Sequence, residues 1–355
     1  MTRLTALIAL LSFAVPAFAQ PRMPKVVDER LKIELVAANP DIVTPIAIDI
    51  DERGRLFVIE SNTHFQPKGY KLFPTDRVRL FEDTNGDGKH DRITDFHTGE
   101  THLMSIRLDP QAKVTTLYAA TRKEVFILRD TDGDGKADDR KSIIKLDTKG
   151  NYPHNGLCAV TFDFAGNVYF GFGENLGEPY KLIGADGTTL EGGGEGGNIY
   201  ACDKDGNKLR RVATGFWNPF DISVDAFGRV FTVDNDPDSR PPCRLLHVVE
   251  GGDYGYRFKY GRKGLHPFTS WNGEIPGTLP MVAGTGEAPS GMRAYESDNR
   301  PEDYLGTLLG TSWGDHRIER YALKPHGASF TSKMEPIVKR SEERRVGKEC
   351  RSRWS

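Results

Sequence analysis

The sequence predicts an all-β protein, a β-propeller in which five repeated units are visible. Two observations carry that expectation. Short stretches of period-2 alternation, broken by Gly, Asp and Asn turns, recur about every 50 to 60 residues, and helical periodicity is weak along the whole chain. Four-stranded units repeated at that interval suit propeller blades better than a sandwich. With 355 residues, 37% of them hydrophobic and 28% charged, the chain has length for one large domain or two smaller ones. Its formal net charge of -2 leaves no electrostatic footprint for nucleic acid or an anionic membrane surface.

The elements follow in chain order. Residues 1–19 read as a secretory signal: Arg3, an apolar run from Leu4 to Val15, then the small-x-small pattern Ala17-Phe18-Ala19. The run falls well short of the ~20 residues a membrane-spanning helix needs. The mature chain is therefore expected to carry no membrane span and to be exported, to the periplasm or beyond. "KIELVAANP" precedes the first unit and is the expected closing strand of the last blade. Units one and two, "AIDIDERGRLFVIES…RVRLFEDTNGDGKHDRITDF" and "SIRLDPQAKVTTLYAAT…EVFILRDTDGDGKADDRKSIIKL", align with four short strands each. Units three and four begin at "AVTFDFAGNVYFGFGE" and "DISVDAFGRVFTVDND", and the inner turn recurs at Gly54, Lys113, Gly166 and Gly228. "GMRAYES…YLGTLLGTSW…HRIERYAL" makes unit five. Cys158, Cys202 and Cys243 cannot all pair with one another, and no CxxCH, CxxC or zinc-ligand spacing occurs.

Two Asp-rich turns stand out. Asp83, Asn85, Asp87 and Asp91, and likewise Asp130, Asp132, Asp134 and Asp138, occupy positions 1, 3, 5 and 9 of a calcium loop, with Gly88 and Gly135 at the sharp turn. Thr94 and Lys141 stand where a complete EF-hand has glutamate. Calcium binding and a plain Asp/Gly turn are both open readings, structural in either case.

Propeller geometry assigns a rim. In each blade the loop leading into the innermost strand and the loop between the second and third strands lie on one face, around the axis. The first kind supplies His102, Tyr152, His154, Asn155, Trp217, Asn218, Pro289 and Ser290. The second supplies His64, Arg122, Lys123, Glu174, Asn175, Asp234, Asn235, Asp236, Arg240, Trp313, Asp315 and His316. Any one of these alone is more often a solvated loop residue. Together they favour a polar ligand site.

Three ordered blocks carry a resemblance: "HNGLCAVTFDFAGNVYFGFGEN", "GGNIYACDKDGNKLRRVATGFWNPFDISVDAFGRVFTVDNDPDSRPPCRLLHVVEGGDYGYRF" and "APSGMRAY…YLGTLLGTSWGDHRIERYAL". From about Val36 to Val338 the chain resembles the soluble quinoprotein glucose dehydrogenase and sorbosone dehydrogenase type of propeller, most closely the version in large membrane-bound dehydrogenases of bacteria. The resemblance implies a six-bladed type of propeller, here truncated to about five blades because the chain ends soon after "KMEPIVKR". The domain is then expected over residues 20–340. Residues 341–355, "SEERRVGKECRSRWS", have neither alternation nor turn chemistry and read as a non-native-looking tail; a genuine basic tail is the other reading.

The resemblance also implies roles. A histidine at the position of His154 is the general base that takes a substrate hydroxyl proton while hydride passes to pyrroloquinoline quinone (PQQ), a task suited to an imidazole near neutral pH. Asn218 matches an asparagine that touches the quinone, and Asp236 and Pro237 match the two backbone carbonyls that hold calcium, a cation that favours hard oxygen ligands. The quinone carries three carboxylates and calls for cationic partners. Trp217 occupies the quinone-contacting position where the family pattern has arginine, and the lysine expected near Gly314 and Asp315 is missing. Arg122, Lys123 and Arg240 are the candidate replacements. The function implied is an exported dehydrogenase acting on a sugar, polyol or related aldehyde, a small carbohydrate-like substrate, with an electron-acceptor cytochrome as partner. A non-catalytic carbohydrate- or protein-binding propeller, and a calcium-dependent lactonase-like hydrolase using side chains such as Glu174, Asn218 and Asp236, are the alternatives.

Overall fold

One turn, repeated, sets the architecture. The computed structural model describes residues 23–62, 66, 68–69, 73–152, 155–299 and 301–340. In it, Asp51, Asp109, Asp163 and Asp225 open successive inner-hairpin turns, and the fourth residue of each turn donates its N–H to the aspartate carbonyl. The carboxylates accept further backbone N–H groups, from Arg53 and Arg55, Gln111, Asn167, and Phe227 and Arg229. This is the Asx-turn chemistry that makes aspartate a turn former. Gly54, Gly166 and Gly228 sit at φ 77°, 82° and 75°, where a side chain is disfavoured. The unit-two counterpart is Ala112 rather than Lys113, because Asp109 fixes where that turn begins.

Five sheets result, the blades of the propeller, antiparallel except where Gly252–Asp253 adds in parallel to Arg210–Phe216. Blade 1 runs Pro45–Ile50, Leu56–Glu60, Asp76–Glu82, Arg92–Glu100; blade 2 runs Leu103–Leu108, Thr115–Thr121, Glu124–Asp130, Asp139–Thr148. Blade 3 runs Leu157–Phe162, Val168–Phe172, Gly197–Cys202, Arg210–Phe216; blade 4 runs Asn218–Val224, Val230–Asn235, Cys243–Val248, Ala283–Thr285. Blade 5 is Pro289–Tyr295, Thr307–Ser312, Arg317–Tyr321 and Met334–Lys339. A hairpin, Tyr180–Gly184 with Thr189–Gly192, extends blade 2 outward. No helix among the described residues is long and apolar enough to cross a membrane. Cys158, Cys202 and Cys243 are buried and unbridged.

Alternating strand residues build a separate apolar core between each successive pair of blades, from Phe57, Val78 and Leu128 between blades 1 and 2 to Phe231, Leu245 and Met292 between blades 4 and 5. Polar staples register the innermost strands. Asp49 accepts Leu108 N–H at 2.8 Å, Ser105 accepts Val160 N–H at 3.0 Å, and Asp221 accepts Met292 N–H at 2.8 Å.

The junction of blades 5 and 1 is different. Arg293 reaches Asp49 at 2.8 Å, but Ile46, Ile48 and Ile50 on the outer face of the first strand remain 41%, 58% and 58% exposed. An apolar stripe is thus left uncovered where the other junctions are packed. The segment that joins the last blade is Lys25–Val26, paired with Val338 and Lys339, and not "KIELVAANP", which forms no strand. Arg30 then pairs with Asp303, and the Tyr304 hydroxyl donates to Asp28, pinning the incoming chain to blade 5. The signal segment and the tail from Ser341 lie outside the described residues.

Candidate functional site

The rim is organised by a buried ion pair beneath it. Trp217 and Asn218, at the start of blade 4, donate their N–H groups to the Asp234 carboxylate at 3.1 and 2.7 Å. Arg244 holds the same carboxylate through Nε at 3.1 Å and Nη2 at 2.5 Å, and donates to the carbonyls of Tyr254 and Trp271 at 2.8 Å. Both side chains are fully buried, and the guanidinium lies 3.6 Å from the Trp271 ring centroid. Burial pushes Asp234 up and Arg244 down, and their mutual attraction opposes both shifts.

Above the pair stands an aromatic wall. Trp217 packs edge-on to Tyr256 at 5.4 Å and faces Tyr152 at 6.3 Å. The Arg262 guanidinium covers both Trp217 and Tyr152, at 5.6 and 5.7 Å, and pairs with Asp238 at 3.0 Å. Asn155 donates to the Glu174 carbonyl at 2.6 Å. It meets Asn218 across Gly173, where a Cβ would fall 2.5 Å from Asn218 Oδ1 and 2.8 Å from Asn155 Cβ. The Glu174 carboxylate is taken up within its own loop: Gly177 and Gly196 donate to it at 2.7 and 3.0 Å, and burial pushes its acid to about 7.

Asp236 lies on the neighbouring side, buried and pushed up by that burial, with Arg240 N–H donating to it at 3.1 Å. Its carboxylate, the Cys243 thiol and the Glu287 carboxylate have ligand atoms all within 4.8 Å of one another. Pro237 is buried too, and the carbonyls of Asp236 and Pro237 accept no hydrogen bond among the described residues. Backbone carbonyls and carboxylate oxygens are the hard donors that calcium favours. The Arg240 guanidinium is committed elsewhere, to Gly264 O and Glu274. Lys123 donates to Thr148 O. Arg122 stands half-buried at the blade 2 side of the rim, beside His102, whose ring is pushed down by burial and by the arginine's charge.

The rim thus brings together Trp217, Asn218 and, across Gly173, Asn155, with Asp236 and Pro237 at the end of the next strand. His154 and His64 lie outside the described residues; Tyr152 and Asn155 flank the first. The Asp-rich loops sit at the opposite end of the blades, where His90 contacts Gly54 O at 3.1 Å. Asp83 accepts the N–H groups of Gly86 and Gly88, Asn85 that of Asp87, and Asp87 that of Lys89. Asp91 is bonded to Thr84 and Asp138 to Thr131. Asp130, Asp132 and Asp134 converge, with ligand atoms within 4.8 Å of one another. Sequence reasoning missed Tyr256, Arg262, Trp271 and Arg244. The first three belong to a long excursion between Cys243–Val248 and Ala283–Thr285 that folds back over the rim. The aromatic pair Tyr254 and Tyr256 around Gly255 was the available signal.

No curated protein matches the chain. Several solved structures share its fold. The holo PQQ domain of pyranose dehydrogenase from Coprinopsis cinerea aligns with TM-score 0.62 at 12% identity, over 92% of this chain and 89% of that one. The PQQ-bound aldose sugar dehydrogenase of Streptomyces coelicolor gives 0.57 at 18% identity, over 88% and 84%. The calcium structure of the Trichoderma reesei carbohydrate-active enzyme of family AA12 gives 0.57 at 11% identity, over 90% and 88%. Identities this low establish the shared propeller fold alone. The family described as a domain of unknown function (DUF7133) matches residues 23–343, and this chain belongs to it.

Proposed function

We propose that this protein is an exported quinoprotein-like dehydrogenase that oxidises a sugar, polyol or related aldehyde, with PQQ as hydride acceptor and calcium beside it. The observation that carries the reading is the rim itself. Trp217 and the Asn218 amide at the start of one strand lie beside Asp236 and Pro237, which follow directly on Asn235, the strand partner of Asn218, on a fold shared with PQQ-dependent sugar dehydrogenases.

These residues fit the group. Trp217 and Tyr256, both buried, brace the peptide that carries Asn218; Asn218 offers an amide, and Asp236 and Pro237 offer hard oxygens. When bound, the quinone supplies hydride acceptance and calcium supplies polarisation of its carbonyl. The chain's own part is binding, orientation and proton transfer. Asp234 fixes the peptide that presents Trp217 and Asn218, Gly173 lets Asn155 and Asn218 approach, and His154 takes the substrate hydroxyl proton. The carboxylate of Glu174, taken by two backbone N–H groups, weighs against a hydrolase that would use it as a metal ligand. Export rests on the signal-like residues 1–19, and an electron-acceptor cytochrome is the proposed partner.

The test is reconstitution with PQQ and calcium followed by dye reduction over a panel of sugars, polyols and aldehydes. Reduction that needs both quinone and substrate is expected. Quinone binding without turnover on any of them would favour a non-catalytic carbohydrate-binding propeller.

A further inference from the structure

Among the described residues, the arginines are almost all paired with acids. Arg77 and Arg79 share Glu60 and Asp95, Arg140 bridges Glu100 and Glu124, and Arg244 holds Asp234. Among the described residues, the arginines with no acidic partner are Arg53, Arg122 and Arg340. Arg53 and Arg340 are exposed, where water hydrates the charge. Arg122 is not: it is half-buried, and its Nε is shut off from solvent with no hydrogen-bond partner.

Its position is built, not incidental. The stem lies against Gly156, where a Cβ would fall 2.2 Å from Arg122 Cγ and 2.8 Å from its Cα, so residue 156 has room for glycine alone. The Arg122 N–H donates to His102 O at 3.2 Å, and its carbonyl accepts Leu157 N–H at 3.0 Å, wedging it between blades 2 and 3 at the rim. Asn155, next to Gly156, is the residue that approaches Asn218 across Gly173. Withdrawing a guanidinium from water without a counter-ion is costly. His102 beside it adds none, and burial holds Arg122 below its ordinary value, the opposite of what a carboxylate partner does.

We propose that Arg122 is a carboxylate-binding residue of the rim, its fork reserved for an acid group on the bound ligand. Planar guanidinium matches carboxylate bidentately, which lysine does not. The acid comes either from the tricarboxylate quinone or from a sugar-acid substrate such as a uronate, and the assignment rests on the quinone-site reading only for the first.

Calorimetric titration of the wild type, Arg122→Gln and Arg122→Lys with PQQ plus calcium, D-glucuronate and D-glucose tests it. Losing one charge-assisted pair should weaken a carboxylate probe about 10- to 100-fold in Arg122→Gln. Arg122→Lys keeps the charge without the fork and should fall between; D-glucose should respond identically in all three. Weakened quinone binding identifies the cofactor as the source, and weakened glucuronate binding identifies the substrate. If glucuronate binds through Arg122 while PQQ does not bind the wild type, the quinone reading fails and the carboxylate assignment stands. If PQQ binds and neither probe responds to Arg122→Gln, or neither binds the wild type, the carboxylate assignment is overturned. Melting of both variants within a few degrees of the wild type separates lost binding from lost folding.

Discussion

Replacing Arg244 with methionine should be among the most damaging single changes in this protein. The guanidinium is fully buried and makes two bonds to Asp234 and two to the carbonyls of Tyr254 and Trp271. Methionine matches much of its volume but leaves the Asp234 carboxylate buried without a cation. Breaking a buried pair from one side costs roughly 3–5 kcal/mol. The double variant Asp234→Asn, Arg244→Met removes both charges while an amide oxygen can still accept the Trp217 and Asn218 N–H groups. It should recover roughly 1–3 kcal/mol of that loss, because no orphaned charge remains. Urea denaturation of the three proteins measures this directly, and hydrogen exchange at Trp217 and Asn218 reports whether the rim peptide loosens. A loss below about 1 kcal/mol in Arg244→Met would refute the argument that this pair organises the rim.

Other outcomes follow from the same geometry. Glu174, with its folded value raised to about 7 by burial, contributes stability that is fully present below the unfolded value of 4.5 and lost as pH rises through 7. Unfolding free energy should therefore drop by up to roughly 3 kcal/mol between pH 4.5 and 8 from this group, and Glu174→Gln should flatten that slope. Ile48→Lys with Ile50→Lys, both more than half exposed, should reduce self-association in light scattering at little cost to the melting temperature; unchanged association would mean that the stripe is not sticky. Calcium titration of an Asp134→Ala variant should lose one equivalent, from the loop in which Asp130, Asp132 and Asp134 converge, and unchanged stoichiometry would leave that loop a plain turn. In reconstituted protein, His154→Ala should lower kcat by about 10²- to 10⁴-fold with quinone affinity retained.

The all-β class and the blade repeat were legible because both are local. Period-2 alternation and Asp-opened turns with glycine at positive φ are written within each unit, and Asp51, Asp163 and Asp225 act as their spacing suggests. Placing Trp217, Asn218, Asp236 and Pro237 at strand ends on one rim also needed nothing beyond strand counting. Pairing across distance needed the fold. Lys25–Val26 rather than "KIELVAANP" completes the last blade because edge pairing depends on where the chain passes, not on how apolar it is. Arg240 and Arg122 look alike as rim cations in sequence. Tertiary contacts give the first to Glu274 and leave the second without an acidic partner among the described residues, and that difference turns on residues more than 30 positions away. The Asp234–Arg244–Trp271 cluster was invisible for the same reason. Local sequence determined which elements form and which way their side chains alternate; the electrostatic partnership of each charge was decided when separate loops came together in a medium too poor in water to leave charges alone.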